Sequence, residues 1–384
     1  MSRASDTVSL AAREAVLPTY ARADVTFVRG EGCRLWDDAG RSYLDFGAGI
    51  AVVGLGHRQP AVTAAAHAQL DELWHASNLY WTEPMLRLAA LLSDRFGGAQ
   101  AFFCNSGAEA NEAALKVARK ATGRARVVAL EGGFHGRTLG ALSVTGQPAK
   151  REPFAPLVPE VRFVPPNDVD ALLAAVDDEV GLILIEPILG EGGVVPLEAS
   201  FVAAASELPP LLGFDEVQTG VGRTGSFFAF EELGVRPDLV TLAKGLANGL
   251  PIGGLLVADS AVGAFEPGDH GSTFGGNPVS AAAASAVVEA IDDELLASVR
   301  ARGAELVAGL VALPGVVGVR GRGLLIGVET AAPAADIVAA AREEGLLVLT
   351  AGENVLRLAP PLTVGVDEVA AALEVLAHVV TLPR

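Results

Sequence analysis

Only four of the 28 basic residues in this chain of 384 are lysines: Lys116, Lys120, Lys150 and Lys244. Chemistry that needs a primary amine must use one of them. Lys116 and Lys120 are spaced i,i+4 on one helical pattern, and Lys150 precedes Arg151 in a polar loop, so all three have the surroundings of ordinary surface lysines. Lys244 stands in the apolar stretch Thr241-Leu242-Ala243-Lys244-Gly245-Leu246. Desolvation there lowers the pKa and makes the amine a nucleophile. A snorkelling side chain is the plainer alternative.

Other segments carry groups suited to a polar ligand. Asn105-Ser106-Gly107-Ala108-Glu109 lies between a strand pattern and a helix pattern. Small residues at a helix start expose N–H groups to an anion, while Ser106 and Glu109 also read as a capping box. Phe134-His135-Gly136-Arg137 offers a flat face for a planar ring and a guanidinium for a carboxylate. Asp215-Glu216 at a strand end can bind a metal or hold a protonated nitrogen, or can be solvated acids in a turn. His270–Pro278 pairs the hydroxyls of Ser272 and Thr273 with glycines, as a phosphate site or a domain-joining loop does. Glu186–Gly193 reads as a mobile acidic loop, more simply a surface connection. Arg357 sits on a short strand whose plainest reading is a solvated face. Gly220–Gly225 matches G-x-G-x-x-G, but Ser226–Phe230 does not open an amphipathic helix, which argues against a dinucleotide fingerprint.

The elements that position these residues alternate. Helix patterns cover 61–73, 83–96, 107–120 and 168–176, and strand patterns cover 100–104, 126–130, 158–164, 180–186, 211–215 and 253–258. This predicts an α/β fold with a large, mostly parallel central sheet flanked by helices. Asn105, Glu186 and Asp215 fall at strand ends, where ligands bind in such sheets. After Pro278 come a long helix over 279–308, strands at 315–320, 323–329, 346–349 and 355–358, and helices over 334–344 and 366–379. The expected organisation is an N-terminal segment 1–50 belonging to a small domain, a large domain 51–277, and a C-terminal α+β part 278–384.

With 46 acidic against 28 basic residues and a net charge of −18, the surface repels phosphate backbones, which argues against nucleic-acid binding. Apolar runs are too short for a membrane span. Cys33 and Cys104 suit neither a disulfide framework nor a zinc site, so no metal is expected. No secretory signal is evident in residues 1–30, and the expected compartment is the cytoplasm.

Taken together, the segments supply a phosphate cradle, a stacking face, an acid for a ring nitrogen, a reactive amine and arginines for carboxylates. In this the chain resembles the class III aminotransferases, fold type I enzymes that use pyridoxal 5'-phosphate. The resemblance spans nearly the whole chain and rests on Asn105–Asn111, Phe134–Arg137, Asp215–Gln218, Thr241–Gly245 and Ser272–Pro278, which keep the family's order. It implies that Lys244 is the Schiff-base lysine and that Asp215 pairs with the pyridinium nitrogen. Val217 and Phe134 would cover the two ring faces, and Gln218 would reach the phenolic oxygen. Ser106, Gly107 and Ala108 would hold the phosphate, with Thr273 donated by the partner of a homodimer. Arg137 and Ser272 would bind the amino donor. Arg357 would receive the α-carboxylate of glutamate, with Glu191 masking it while the donor is bound.

The implied reaction moves the terminal amine of N2-acetyl-L-ornithine to 2-oxoglutarate. Similar enzymes acting on ornithine carry a tyrosine where Ile50 stands, and isoleucine tolerates an acylated nitrogen. The alternatives are an ω-aminotransferase for 4-aminobutyrate, ornithine or N-succinyl-diaminopimelate, or a cofactor-binding protein without turnover. The link Leu208-Pro209-Pro210-Leu211 is shorter than in similar enzymes and precedes the strand bearing Asp215. A shift of that strand would weaken cofactor binding.

Overall fold

Continuous apolar runs become the central strands of this chain, and the connections between them decide their direction. The computed structural model describes residues 13, 15–158 and 160–380, so the start of the expected N-terminal segment lies outside the described residues. Strands β1 (Phe27–Glu31), β2 (Arg34–Asp37) and β3 (Ser42–Asp45) form an antiparallel meander. Strands β4 (Gln100–Cys104), β5 (Arg126–Leu130), β6 (Val161–Val164) and β7 (Val180–Ile185) follow, then a ribbon of β8 (Ile188–Leu189) and β9 (Val195–Pro196). Next come β10 (Leu211–Asp215), β11 (Leu239–Leu242) and β12 (Gly253–Val257).

The central sheet has seven strands in the order β4-β12-β11-β10-β7-β5-β6. Parallel pairing runs from β11 through β10, β7 and β5 to β6. Every residue of β7 is buried, as expected of a parallel strand covered on both faces. β12 is antiparallel to both neighbours. The connection Ala243–Ile252 contains only a short 3-10 turn and no crossover helix, so the chain must return antiparallel. That connection carries Lys244.

The C-terminal strands β13 (Val316–Arg322), β14 (Leu325–Thr330), β16 (Leu349–Thr350) and β17 (Val355–Leu358) form an antiparallel sheet. β15 (Leu346–Leu347) pairs instead with β3, tying the C-terminal part to the N-terminal meander. One buried apolar cluster runs from Cys33 to Val380 and includes residues of both regions. The helix Gly107–Thr122 buries an alanine-rich face, Ala110, Ala113, Ala114 and Ala118, against the central sheet.

The strands over 100–104, 126–130, 211–215 and 355–358 and the helices over 83–96 and 366–379 stand where the patterns predict them. The long helix expected over 279–308 is two helices, Pro278–Ala290 and Asp293–Val311. The break is at Asp292, whose carboxylate accepts the Leu295 N–H at 2.8 Å and so starts a new helix. β1 to β3 and β11 are not marked by pattern, being short and in part polar. After the Leu208–Leu211 link, β10 pairs in parallel with β7 and β11. Among the described residues no helix is long and apolar enough to cross a membrane.

Asp292→Ala is expected to cost about 1 kcal/mol of stability through the lost cap. The check is a chemical denaturation curve, in which the midpoint falls while the slope stays constant.

Candidate active site

The site is organised by one buried carboxylate. Asp215 ends β10 and is 3% exposed. Its Oδ2 lies 2.7 Å from His135 Nδ1 and accepts from Asn111 Nδ2 at 2.7 Å, and its Oδ1 accepts the Val217 N–H at 3.0 Å. Asn111 also donates to the His135 carbonyl and accepts from the Thr241 hydroxyl on β11. Burial pushes the Asp215 carboxyl up, but the bond and charge of His135 and the two N–H donors outweigh it and hold it below the usual carboxylate range. Burial likewise disfavours charge on His135, but Asp215 outweighs it and holds the imidazole above its ordinary value. The two directions agree on an ionised pair. Asp215 and Asn111 also line a cavity of about 400 Å³.

At one side of that cavity the helix Gly107–Thr122 begins. The Ser106 Oγ accepts the Glu109 N–H at 3.2 Å, so the N-cap forms as expected, but the Glu109 carboxylate reaches back past the N-cap residue to the Asn105 N–H at 2.7 Å, so the expected capping box is not closed. The N–H groups of Gly107 and Ala108 have no intrahelical acceptor and line the cavity, a ready anion cradle. Cap and cradle coexist. A Cβ on Gly107 would meet both Val217 methyl carbons at 2.7 Å, so only glycine lets the helix start approach Val217. Phe134 and Val217 both line the cavity. Phe134 is held by its N–H, which donates to Glu186 Oε1 at 2.8 Å. Burial pushes the Glu186 carboxyl up to about 7.

Lys244 enters the cavity from the turn after β11, with its backbone at φ +42°, an uncommon conformation for a side-chain-bearing residue. Burial, then the Arg357 charge, lower its amine below the ordinary lysine value; Glu191, Asp215 and Glu186 oppose this without restoring it. A planar pyridine ring with a phosphate arm fits these residues: Asp215 for a ring nitrogen, Phe134 and Val217 for the faces, the helix start for the phosphate, and Lys244 for a carbonyl.

Beside the cavity, Arg357 of β17 is buried, and its Nη1 donates to Glu191 Oε1 at 2.6 Å, Gly190 O at 3.0 Å and Gln218 Oε1 at 3.0 Å. Burial raises the Glu191 carboxyl, but Arg357 outweighs it and holds the group below its usual value. The strand face expected to be solvated is therefore buried. The expected acidic surface loop is also buried from Glu186 to Gly190, because Glu186 clamps Gly190 as well as Phe134.

Ser106, Gly107, Ala108, Phe134, Arg137, Asp215, Val217, Gln218 and Lys244 all line the cavity. Arg357 and Glu191 connect to it through Gln218. Ile50 is not in the lining; it is exposed at φ +66° in a left-handed turn, and Val52 lines the cavity instead. Ser272 reaches the site through Asn105, whose Nδ2 donates to its hydroxyl at 3.1 Å. Thr273 is exposed outside its own chain's cavity. Sequence reading passed over Asn111 and His135 as functional groups, though each sits within a motif it singled out. It also read Lys150 as a surface lysine. Lys150 is half-buried, with its ammonium 4.8 Å from the centre of the Phe134 ring. That contact is tertiary and leaves no mark in the local polar sequence.

The aminotransferase class-III family model matches residues 18–380. An acetylornithine aminotransferase of Gloeobacter violaceus is 49% identical, with 96% of each chain covered. One from Mycobacterium tuberculosis is 50% identical, covering 91% of this chain and 90% of its own. Among solved structures, an ornithine aminotransferase from Toxoplasma gondii, described with partial occupancy of PLP at its active site, superposes with a TM-score of 0.92 at 32% identity, covering 96% of this chain and 92% of its own. An N-acetylornithine aminotransferase from Stenotrophomonas maltophilia gives 0.82 at 36% identity, covering 94% and 96%.

The buried pair predicts a pH signature. Asp215 is lowered, so its share of stability is present above about pH 4 and is lost as pH falls through the depressed folded value. His135 is raised, so its share is full below about pH 6.5 and is lost as pH rises through the raised folded value. The Tm difference between wild type and His135→Gln should be largest between the ordinary carboxylate and imidazole values, about pH 4 to 6.5, and narrow as pH rises through the raised value of His135. A flat difference would contradict the ion pair.

Proposed function

The chain belongs to the class-III aminotransferases, and from that membership we propose that it transfers the terminal amine of N2-acetyl-L-ornithine to 2-oxoglutarate, giving N-acetyl-L-glutamate 5-semialdehyde and L-glutamate. It is an enzyme that works with pyridoxal 5'-phosphate. The observation that carries the reading is the convergence of Asp215, Lys244 and the Gly107–Ala108 helix start on one cavity. The similarity to acetylornithine aminotransferases over nearly the full chain supports the choice of donor.

When bound, pyridoxal phosphate supplies a carbonyl for the amine and an electron sink for charge at the reacting carbon. Asp215 keeps positive charge on the ring nitrogen, and its own ionisation in a buried place supports that role. Lys244 Nζ, less basic than a surface amine, takes up and returns the proton of the reacting carbon. Ser106, Gly107 and Ala108 bind the phosphate, Gln218 the phenolic oxygen, and Phe134 and Val217 fix the ring plane. While the donor is bound, Glu191 occupies Arg357. The α-carboxylate of the acceptor then replaces Glu191 on the guanidinium, so one pocket serves a cationic-ended donor and a dianionic acceptor. Arg137 and Ser272 hold the donor's distal end.

A homodimer that shares its sites is part of the same proposal. Trp74, Leu79, Tyr80 and Trp81 are each at least 66% exposed, and Phe274, beside Thr273, is 60% exposed. Asn277 donates to the Trp74 carbonyl and Asn78 to the Ser272 carbonyl, so these form one apolar surface flanking Thr273. A second copy covering it would bring Thr273 to the partner's phosphate. A cytoplasmic setting fits two free, buried cysteines, Cys33 and Cys104.

Steady-state kcat/KM with acetylornithine should exceed that with ornithine or 4-aminobutyrate by at least about tenfold, the weight of one mismatched polar contact. An equal or better rate with 4-aminobutyrate would overturn the donor. Lys244→Ala should lose the visible absorbance of lysine-bound cofactor and at least about a thousandfold in turnover. Light scattering should give twice the chain mass, and Thr273→Val should weaken cofactor binding about tenfold while the dimer persists.

A further inference from the structure

Phe134 carries two cations on its ring. Arg137 Cζ lies 5.5 Å from the ring centroid and Lys150 Nζ 4.8 Å, both within cation–π range. Neither side chain has a carboxylate partner or another hydrogen-bond acceptor among the described residues. Lys150 differs from Lys116 and Lys120, whose ammonium groups are satisfied by Asp269 and, for Lys120, also Glu266. It is half-buried, at the end of the short helical turn Pro148–Arg151. Burial first, and then the charges of Arg137 and Arg357, lower its amine below the ordinary lysine value, with Glu191 opposing them. Arg137 lines the cavity, and Lys150 and Arg357 lie close enough for their charges to be felt, in a chain of net charge −18. Arg357 is neutralised by Glu191, which leaves Lys150 and Arg137 as neighbouring cations without an ion pair; they repel one another, and an arriving anion relieves that repulsion.

We propose that Lys150, seated on Phe134 beside Arg137, is a second cation for the donor's carboxylate, the end of the substrate far from the reacting amine. This rests on acetylornithine being the donor. Arg137 offers a planar fork and Lys150 a compact point charge, so together they hold a carboxylate from two directions. Lys150 is a binding residue for substrate and takes no part in proton transfer.

The test compares two donors in each variant of the holoenzyme: acetylornithine, and N-acetyl-1,4-diaminobutane, which is the same molecule without its carboxylate. The readout is the ratio of kcat/KM for the first to that for the second, which is independent of how much protein is active. Wild type should prefer acetylornithine strongly. Lys150→Met and Lys150→Gln should each lower the ratio about tenfold or more, the loss expected for one charge-assisted contact. Lys150→Arg should keep it within about threefold. A ratio unchanged in Lys150→Met and Lys150→Gln overturns this proposal alone and leaves Lys150 a packing partner of Phe134. A wild-type ratio near one, or wild-type turnover that favours a different donor, overturns the donor reading and this proposal with it.

Discussion

Everything in the site depends on keeping one almost fully buried carboxylate charged. An unpaired ion at that depth would be protonated, and its burial cost would be several kcal/mol. Asp215 escapes this because three neighbours from different parts of the chain converge on it: His135 after β5, Asn111 on the helix after β4, and the Val217 N–H just beyond β10. Each neighbour is tied in turn. Asn111 is anchored by Thr241, and the His135 N–H donates to the Thr145 hydroxyl. The parallel register of β10 with β7 and β11 therefore has an electrostatic consequence. A one-residue slip would turn Asp215 away from its partners.

The second constraint is directional. A parallel sheet needs long crossovers, and the chain abandons that rule once, between β11 and β12. The short return leaves no room for a helix and pins Lys244 in a tight turn across the cavity from the acid. Its positive φ is the local cost of that placement. The helix Gly107–Thr122 completes the triangle, because β4 is the antiparallel neighbour of β12 and delivers its own end to the same side. Reactive amine, charged acid and anion cradle thus come from the ends of β11, β10 and β4 on one side of the sheet, with β12 lying between β11 and β4.

Much of this is legible in the residues. Buried parallel strands announce themselves by unbroken apolar runs, and Asp215 and Lys244 stand out against such surroundings. Arg357 and Glu186 are harder to read, because a charged residue on a short strand or in a glycine-rich loop has the same local sequence whether it faces solvent or a buried partner. Only the pairing of β17 with β14 and β16, and the clamp of Glu186 on Phe134 and Gly190, distinguish the two. Lys150 is the extreme case, since its meaning comes wholly from a ring sixteen positions away in sequence. The break at Asp292 was legible in principle as an N-cap, but continuous apolar spacing on both sides hid it.

The turn that holds Ala48, Gly49, Ile50 and Ala51 at positive φ winds left-handed through residues that disfavour it. A branched side chain at Ile50 is the least suited of the four to that backbone. Left to conformational preference, the position would drift toward glycine or asparagine. An isoleucine there works against its own backbone, and as an exposed side chain outside its own chain's cavity lining it gains no packing to offset that cost. Asparagine or glycine at this position would relax the turn, and the gain in stability would come at a side chain that its own chain's cavity does not use.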